Sequence, residues 1–221
     1  MANILYSGTR NASSWAMRAW LALREQDIEF EERIIDLRKP QRFKQLAMVG
    51  KFSPPAAVPV LVTDTTTIFD SLAIMEFASE FGEKPLLPAD MELRARARSF
   101  VAWQHSGLSN ICPRLSFESA FYPDRRSLTD EEISDCNRLF AVLENELSEH
   151  GGSYLFGDLS LADLALAPTV VRLDAHVPNF GAWPLTKRWF EILLSRDTVR
   201  EWLDDARSLP HVWFDEYLPA K

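Results

Sequence analysis

Residues 58–74 read VPVLVTDTTTIFDSLAI, and this stretch decides the fold of the N-terminal part of the chain. The apolar run Val58–Val62 predicts a strand, and the polar residues Asp64–Thr66 predict a tight turn. Thr67–Phe69 then predicts the returning strand of a hairpin. Ser71–Phe81 follows with apolar residues at helical spacing, so we expect a strand pair that leads directly into a helix.

Upstream of this stretch, the sequence predicts a strand, a helix and a second strand. Asn3–Ser7 has the apolar character of a short buried strand, and Thr9–Ala12 is a polar turn. Ser13 or Ser14 can cap the helix that follows, and Phe30–Ile35 is the second strand. Because a helix separates these two strands, we expect them to be parallel, as in a βαβ unit.

The remaining sequence predicts a linker and a set of helices. Residues 36–55 are polar and irregular, with at most a short helix near Phe43–Met48. Residues 82–90 contain a glycine and two prolines and are typical of a linker. Farther on, apolar residues recur at the spacing of one helix face, namely Ile133, Cys136, Leu139, Phe140, Leu143 and Leu147. We therefore predict an N-terminal α/β domain over residues 1–81, a linker over 82–90, and an all-α domain over 91–221.

Composition excludes several classes of protein. The 221 residues carry a formal net charge of −8, and an acidic surface disfavours binding to nucleic acid or to an anionic membrane. The two cysteines, Cys112 and Cys136, form no CxxC pair and predict neither a disulfide framework nor a zinc site. The four histidines lack metal-ligand spacing, so we expect no metal. The start of the chain lacks the features of a signal peptide, which favours the cytoplasm.

Three short segments have the residue types of a ligand site. Val58-Pro59 opens a strand, where the backbone of Val58 can pair with an extended peptide ligand. Asp70-Ser71 opens a helix, and helix N-termini bind carboxylates. A hydroxyl of Ser13 or Ser14, at the start of the first helix, can donate a hydrogen bond to a sulfur anion. Taken singly, each has a purely structural alternative: a strand-entry proline or a helix N-cap.

The sequence from Gly157 to Asp163 has a structural interpretation. Ser160 and Asp163 stand at the two positions of a capping box, and the helix that they begin is mostly apolar. We therefore expect a buried helix after Ser160. Asp163 is predicted to support folding and not chemistry.

Together these segments resemble the glutathione transferase family over nearly the whole chain. The stretch 13–18, SSWAMR, looks like the active-site start of the serine-type classes, including zeta-like bacterial members. Val58-Pro59-Val60-Leu61 looks like the family's cis-proline motif, and residues 70–74, DSLAI, look like its Glu/Asp-Ser-x-Ala-Ile motif. Gly157–Asp163 resembles the capping motif of the family's buried C-terminal helix. Four such motifs in this order are far more specific than any one of them.

The resemblance implies a thioredoxin-like N-terminal domain that binds glutathione and a C-terminal helical bundle that shapes the pocket of a small electrophilic second substrate. It implies that Ser13, or alternatively Ser14, stabilises the glutathione thiolate. Val58, next to Pro59, would pair with the cysteinyl backbone, and Asp70 and Ser71 would bind the γ-glutamyl end. It also implies a homodimer that serves detoxification.

The chain departs from the family pattern just before Val58. Ala56-Ala57 stands where a basic residue often anchors the glycyl carboxylate of glutathione, and Arg42, Lys44 or Lys51 are the alternatives that the sequence offers. Two other functions stay open, namely a noncatalytic ligand- or partner-binding protein and a zeta-like glutathione-dependent isomerase. A thiol-disulfide oxidoreductase is disfavoured, because that chemistry needs a cysteine where Ser13 and Ser14 stand.

Overall fold

The computed structural model describes residues 3–38, 40–108, 110–177 and 180–219. The chain divides into two compact units. The first takes in the residues up to Lys84 together with Glu201–Val212, and the second takes in Pro85–Arg200 together with the residues from Trp213 onwards. The first unit is therefore discontinuous in sequence.

A four-stranded mixed sheet organises the first unit. Its strands are β1 (Asn3–Gly8), β2 (Phe30–Ile35), β3 (Val60–Val62) and β4 (Thr67–Phe69), in the spatial order β2-β1-β3-β4. β1 and β2 are parallel, and β3 is antiparallel to both β1 and β4. The predicted βαβ unit and the predicted hairpin are therefore both confirmed.

Three helices accompany the sheet, namely α1 (Ser14–Glu25), α2 (Gln41–Val49) and α3 (Ser71–Phe81). α1 packs against α3, while α2 lies next to β2. The sequence predicted at most a short helix within residues 43–48, and α2 is longer than that at both ends. Val49 is the one residue of α2 that is buried, so this helix has little apolar periodicity to reveal it.

The second unit is helical. Its helices are α4 (Met91–His105), α5 (Ile111–Arg114), α6 (Asp130–His150), α7 (Leu161–His176) and α8 (Pro184–Ser195), and α9 (Asp197–Ser208) begins here and ends among residues of the first unit. Short 3₁₀ turns cover Glu118–Phe121 and Asp215–Tyr217. No described helix is long and apolar enough to cross a membrane.

The core of the second unit is arranged around α7, which is buried along Leu161–Leu173. On α6, the predicted apolar face is confirmed from Cys136 to Leu147, but Ile133 is 45% exposed. Ile133 lies in the first turn of α6, where the chain enters the helix from the surface. The mixed sheet with its helices, followed by an all-helical unit, confirms the predicted fold class.

Candidate functional site

The strand register brings the three predicted site segments to one edge of the sheet. Tyr6 of β1 lies opposite Val60 of β3, and Val60 lies opposite Phe69 of β4. The C-terminal end of β1, the start of β3 and the end of β4 are therefore neighbours. Ser13 follows the first of these ends, Val58-Pro59 precedes the second, and Asp70-Ser71 follows the third.

Ser13 is the N-cap of α1. Its Oγ accepts a hydrogen bond from the backbone N–H of Ala16 at 3.2 Å, and the residue is 3% exposed. Ser13 packs closely on the end of β1, because a Cβ added to Gly8 would lie 2.6 Å from the Ser13 Cβ. Ser14 occupies the first helical position and is also buried. The cap geometry places the hydroxyl of Ser13 at the positive end of the helix dipole.

The Val58-Pro59 peptide bond is cis. Pro59 is buried and Val58 is half-buried, where its side chain packs against a cluster formed by Ile35, Val49 and Val60. This cluster joins β2, α2 and β3, so the backbone at Val58 is supported from two strands and one helix. A rigid backbone at this point suits the pairing with a peptide that the sequence predicted.

Asp70 and Ser71 begin α3. Asp70 is the N-cap, and its Oδ1 accepts a hydrogen bond from the Leu72 N–H at 2.8 Å. Its φ of +79° is uncommon for a residue other than glycine, and such conformations cluster at functional sites. Ser71 is 1% exposed, and its hydroxyl has no hydrogen-bond partner within the described part of the chain. A buried and unpartnered hydroxyl at a helix N-terminus fits the recognition of a carboxylate.

The three cations that the sequence offered as anchors for a carboxylate lie on or just after α2. Arg42, Lys44 and Lys51 are all exposed, and none forms an ion pair with another described residue. The structure therefore leaves all three available and does not choose among them. Ser53, close by, is 1% exposed and also has an unpartnered hydroxyl.

One group of residues near the site was missed by sequence reasoning. The polar turn after β1 is buried, with Thr9 4% exposed and Asn11 1% exposed. Asn11 donates from Nδ2 to the carbonyl of Pro210 at 3.0 Å, so this turn is covered by the distant residues 201–212. Local sequence carries no signal of a cover that lies some two hundred residues away.

Within the described ranges, no group of three or more His, Cys, Asp or Glu side chains is placed to hold an ion. Cys112 and Cys136 are both free thiols. Burial and the neighbouring carboxylates raise the pKa of the Cys136 thiol to about 12, so it is a poor nucleophile.

Comparison with known proteins points to one family. The family model for the N-terminal domain of glutathione S-transferases matches residues 12–80, and the model for their C-terminal domain matches residues 108–197. Glutathione S-transferase 1 of Dianthus caryophyllus is 34% identical over 224 residues, covering 92% of this chain and 96% of that protein. Maleylacetoacetate isomerase of Dictyostelium discoideum is 31% identical over 208 residues, covering 91% of each.

A solved structure agrees with these sequence relationships. The crystal structure of a glutathione transferase homologue from Burkholderia gl BGR1, with bound glutathione, superposes with a TM-score of 0.69 at 27% identity. The match covers 94% of this chain and 98% of the other. The two family models and these relatives agree with the arrangement of the sheet and its capped helices. The chain belongs to the glutathione S-transferase family.

Proposed function

We propose that the chain is an enzyme that binds glutathione at the sheet edge of its first unit and activates the thiol for attack on a small electrophile. The observation that carries this proposal is the convergence of Ser13, Val58 and Asp70-Ser71 at one edge of the sheet. The proposed glutathione-binding domain is residues 1–81, joined through residues 82–90 to the helical domain of residues 91–221. The helical domain supplies the second-substrate pocket in this proposal.

Ser13 is the residue proposed to stabilise the thiolate. Its Oγ already accepts from the Ala16 N–H, so the hydroxyl hydrogen is available to point towards a sulfur anion. A hydrogen bond to a charged group is worth about 1.5–3 kcal/mol, and one pKa unit corresponds to about 1.36 kcal/mol. Such a bond would lower the thiol pKa by about one to two units from its ordinary value of about 8.5.

The remaining site residues are proposed to hold the peptide part of glutathione. The unpartnered hydroxyl of Ser71 and the first turn of α3 would bind the γ-glutamyl carboxylate. Asp70, which directly precedes Ser71, would pair with the γ-glutamyl ammonium, while its Oδ1 also caps α3. The backbone of Val58, beside Pro59, would add the cysteinyl residue as a short extra strand.

Ser13→Ala tests this mechanism, with Ser14→Ala as its matched control. The variant has less thiolate, but this loss is partly offset. The thiolate of a thiol with a higher pKa is the better nucleophile, with a Brønsted slope of about 0.4–0.5. At pH 7 the thiolate fraction falls about 8- to 25-fold and the nucleophilicity rises about 3- to 8-fold, so Ser13→Ala should slow conjugation about three-fold at pH 7 and should not slow it at pH 9. The affinity for glutathione should change little. If Ser14→Ala alone shows the pH-dependent loss, the two serines exchange roles.

Binding itself gives a second test that does not depend on the electrophile. Glutathione at one hundred times its dissociation constant should add about 2.7 kcal/mol of stability by mass action. A thermal shift near zero at tens of millimolar glutathione, together with no heat of binding in calorimetry, would exclude the site.

An isomerase is the second candidate function, because a maleylacetoacetate isomerase is among the relatives. Isomerisation also needs only a bound glutathione thiolate, so it uses the same site. A panel of generic electrophiles and of cis-unsaturated diketo acids, assayed with glutathione, separates the two reactions. A noncatalytic binding protein would turn over neither set, although it would still bind glutathione.

The cellular setting is also a proposal. We infer a cytoplasmic homodimer that removes reactive apolar compounds. A symmetric pair is the commonest oligomer, and the sequence resemblance implies it. Sedimentation that gives only a 25.3 kDa species at micromolar concentration would contradict the dimer.

A further inference from the structure

The turn between β1 and α1 carries a largely buried arginine that the proposed chemistry does not use. The side chain of Arg10 is 12% exposed. Its Nη2 donates to Glu32 Oε2 of β2 at 2.5 Å, and its Nη1 lies 3.4 Å from Asp205 Oδ2 of α9. This arginine therefore connects the sheet to the last part of α9, within the first unit.

Two tryptophans contact the same guanidinium. The Arg10 Cζ lies 4.8 Å from the ring centroid of Trp20 in α1 and 4.8 Å from that of Trp202 in α9. Both rings are buried, at 2% and 0% exposure, and they contact each other edge to face with centroids 5.5 Å apart. A cation that contacts two indole rings and has a carboxylate near each of its terminal nitrogens has little freedom to move.

The main chain of this turn is held as well. Trp202 donates from Nε1 to the carbonyl of Arg10 at 3.1 Å. Asn11 donates to the carbonyl of Pro210 at 3.0 Å, and within the turn the Ala12 N–H donates to the Thr9 carbonyl at 2.8 Å. Residues 202–210 therefore fix both the side chains and the backbone of the segment that ends at Ser13. We call Arg10, Trp20 and Trp202 the arginine clamp.

We propose that Arg10 and Trp202 are positioning residues for thiol activation: the arginine clamp sets the backbone of residues 9–13, and so aims the Ser13 hydroxyl. This inference rests on the proposed role of Ser13. Hydrogen bonds weaken steeply when the donor angle departs from linearity, and small displacements of a catalytic group cost large factors in rate. A loosened clamp therefore acts on the thiol pKa and not only on stability.

Two clamp variants and one matched control test the proposal. Trp202→Phe keeps an aromatic ring but removes the hydrogen bond to the Arg10 carbonyl. Arg10→Lys keeps the charge but loses the planar contact with both rings. Arg24→Gln is the matched control. Arg24 also lies beside Trp20, 5.3 Å from its ring, and pairs with Glu201 of α9 at 2.8 Å. It stands in the last turn of α1, however, at the opposite end of the helix from the turn.

Two measurements are made on each full-length variant. The first is the apparent pKa of bound glutathione, from its ultraviolet thiolate absorbance as a function of pH. The second is the hydrogen-exchange rate of the amides of Ala12 and Ala16, which report the turn and the α1 cap directly. Melting temperature is recorded so that variants of equal stability are compared.

The clamp variants should raise the thiol pKa by about half a unit or more, which lowers the thiolate fraction at pH 7 about two-fold. They should also speed exchange at Ala12 and Ala16 about ten-fold, while Arg24→Gln should do neither. Equal behaviour of clamp and control variants at matched stability would overturn the inference. If exchange accelerates but Ser13→Ala leaves the thiol pKa unchanged, the clamp stands and the proposed role of Ser13 fails.

Discussion

Replacing Asp163 should lower the stability of the protein without changing the turnover of its folded form. Its Oδ1 accepts from the Leu155 N–H at 3.0 Å and from Trp189 Nε1 at 2.8 Å. Its Oδ2 accepts from the N–H and the hydroxyl of Ser160, at 2.9 and 2.7 Å. The carboxyl group is fully buried, so Asp163→Ala leaves several buried donors without an acceptor.

The size of the effect follows from those donors. Losing a helix cap alone costs about 0.5–2 kcal/mol. Each buried donor left unpaired adds about 1–3 kcal/mol, partly offset because a buried carboxyl no longer has to be desolvated. We expect Asp163→Ala to lower the free energy of unfolding by about 3–5 kcal/mol, or the melting temperature by roughly 10 °C for a chain of this size. Turnover of the folded fraction should stay near normal.

Asp90→Ala is the matched control for this experiment. Asp90 caps α4 through bonds to the Glu92 and Leu93 N–H groups, both 2.9 Å long, but it is exposed and has no core partners. Its loss should cost only about 0.5–2 kcal/mol. Thermal and urea unfolding of both variants, followed by turnover assays below the transition, give the comparison. Equal destabilisation of the two variants, or lost turnover at unchanged stability for Asp163→Ala, would refute the reasoning.

Two further predictions follow from the contacts. The Arg126 guanidinium, helped by hydrogen bonds from Thr129, lowers the pKa of the Glu132 carboxyl from 4.5 to about 2. Together these contacts stabilise the fold above pH 4.5 by about 3 kcal/mol, and the contribution is lost as the pH falls towards 2. Acid unfolding of Glu132→Gln, compared with the unchanged chain, should therefore lack this part of the pH dependence; identical profiles would contradict it. Gly8→Ala should displace Ser13, because the new methyl group would lie 2.6 Å from its Cβ. Its rate loss at pH 7 should equal or exceed that of Ser13→Ala, and full activity would show that the contact relaxes at no cost.

Most of the fold could be predicted from the local sequence, because the strands and helices of this chain have clear apolar periodicity and are bounded by turn residues and helix caps. Phe30–Ile35 and Thr67–Phe69 begin and end where the sequence predicted. The strand after Pro59 starts two residues later than expected, at Val60, since proline cannot donate to a ladder. Ile133 has the spacing of the buried face of α6 but lies at its solvent-exposed start.

The candidate site could be predicted only in part. Helix caps and a strand-entry proline are local signals, so Ser13, Val58 and Ser71 were found from sequence, and their roles stay predictions. The surroundings of these residues depend on long-range packing, which no local pattern records. Arg10 appears in the sequence as one polar residue of a turn, and its burial becomes visible only with Trp202 in place.

The discontinuity of the first unit has a consequence for synthesis of the protein. Ribosomes add about 5–20 residues per second, so roughly 10–40 s pass between the appearance of Ser13 and that of the residues that cover its turn. During this interval the sheet can form, but the arginine clamp cannot close, because Trp202 and Asp205 have not yet been made. A chain released after Arg200 should accordingly leave Trp20 solvent-accessible, which its fluorescence emission would report. Thiol activation, as proposed, is thus completed only when synthesis is nearly over, and nascent or C-terminally truncated chains lack it.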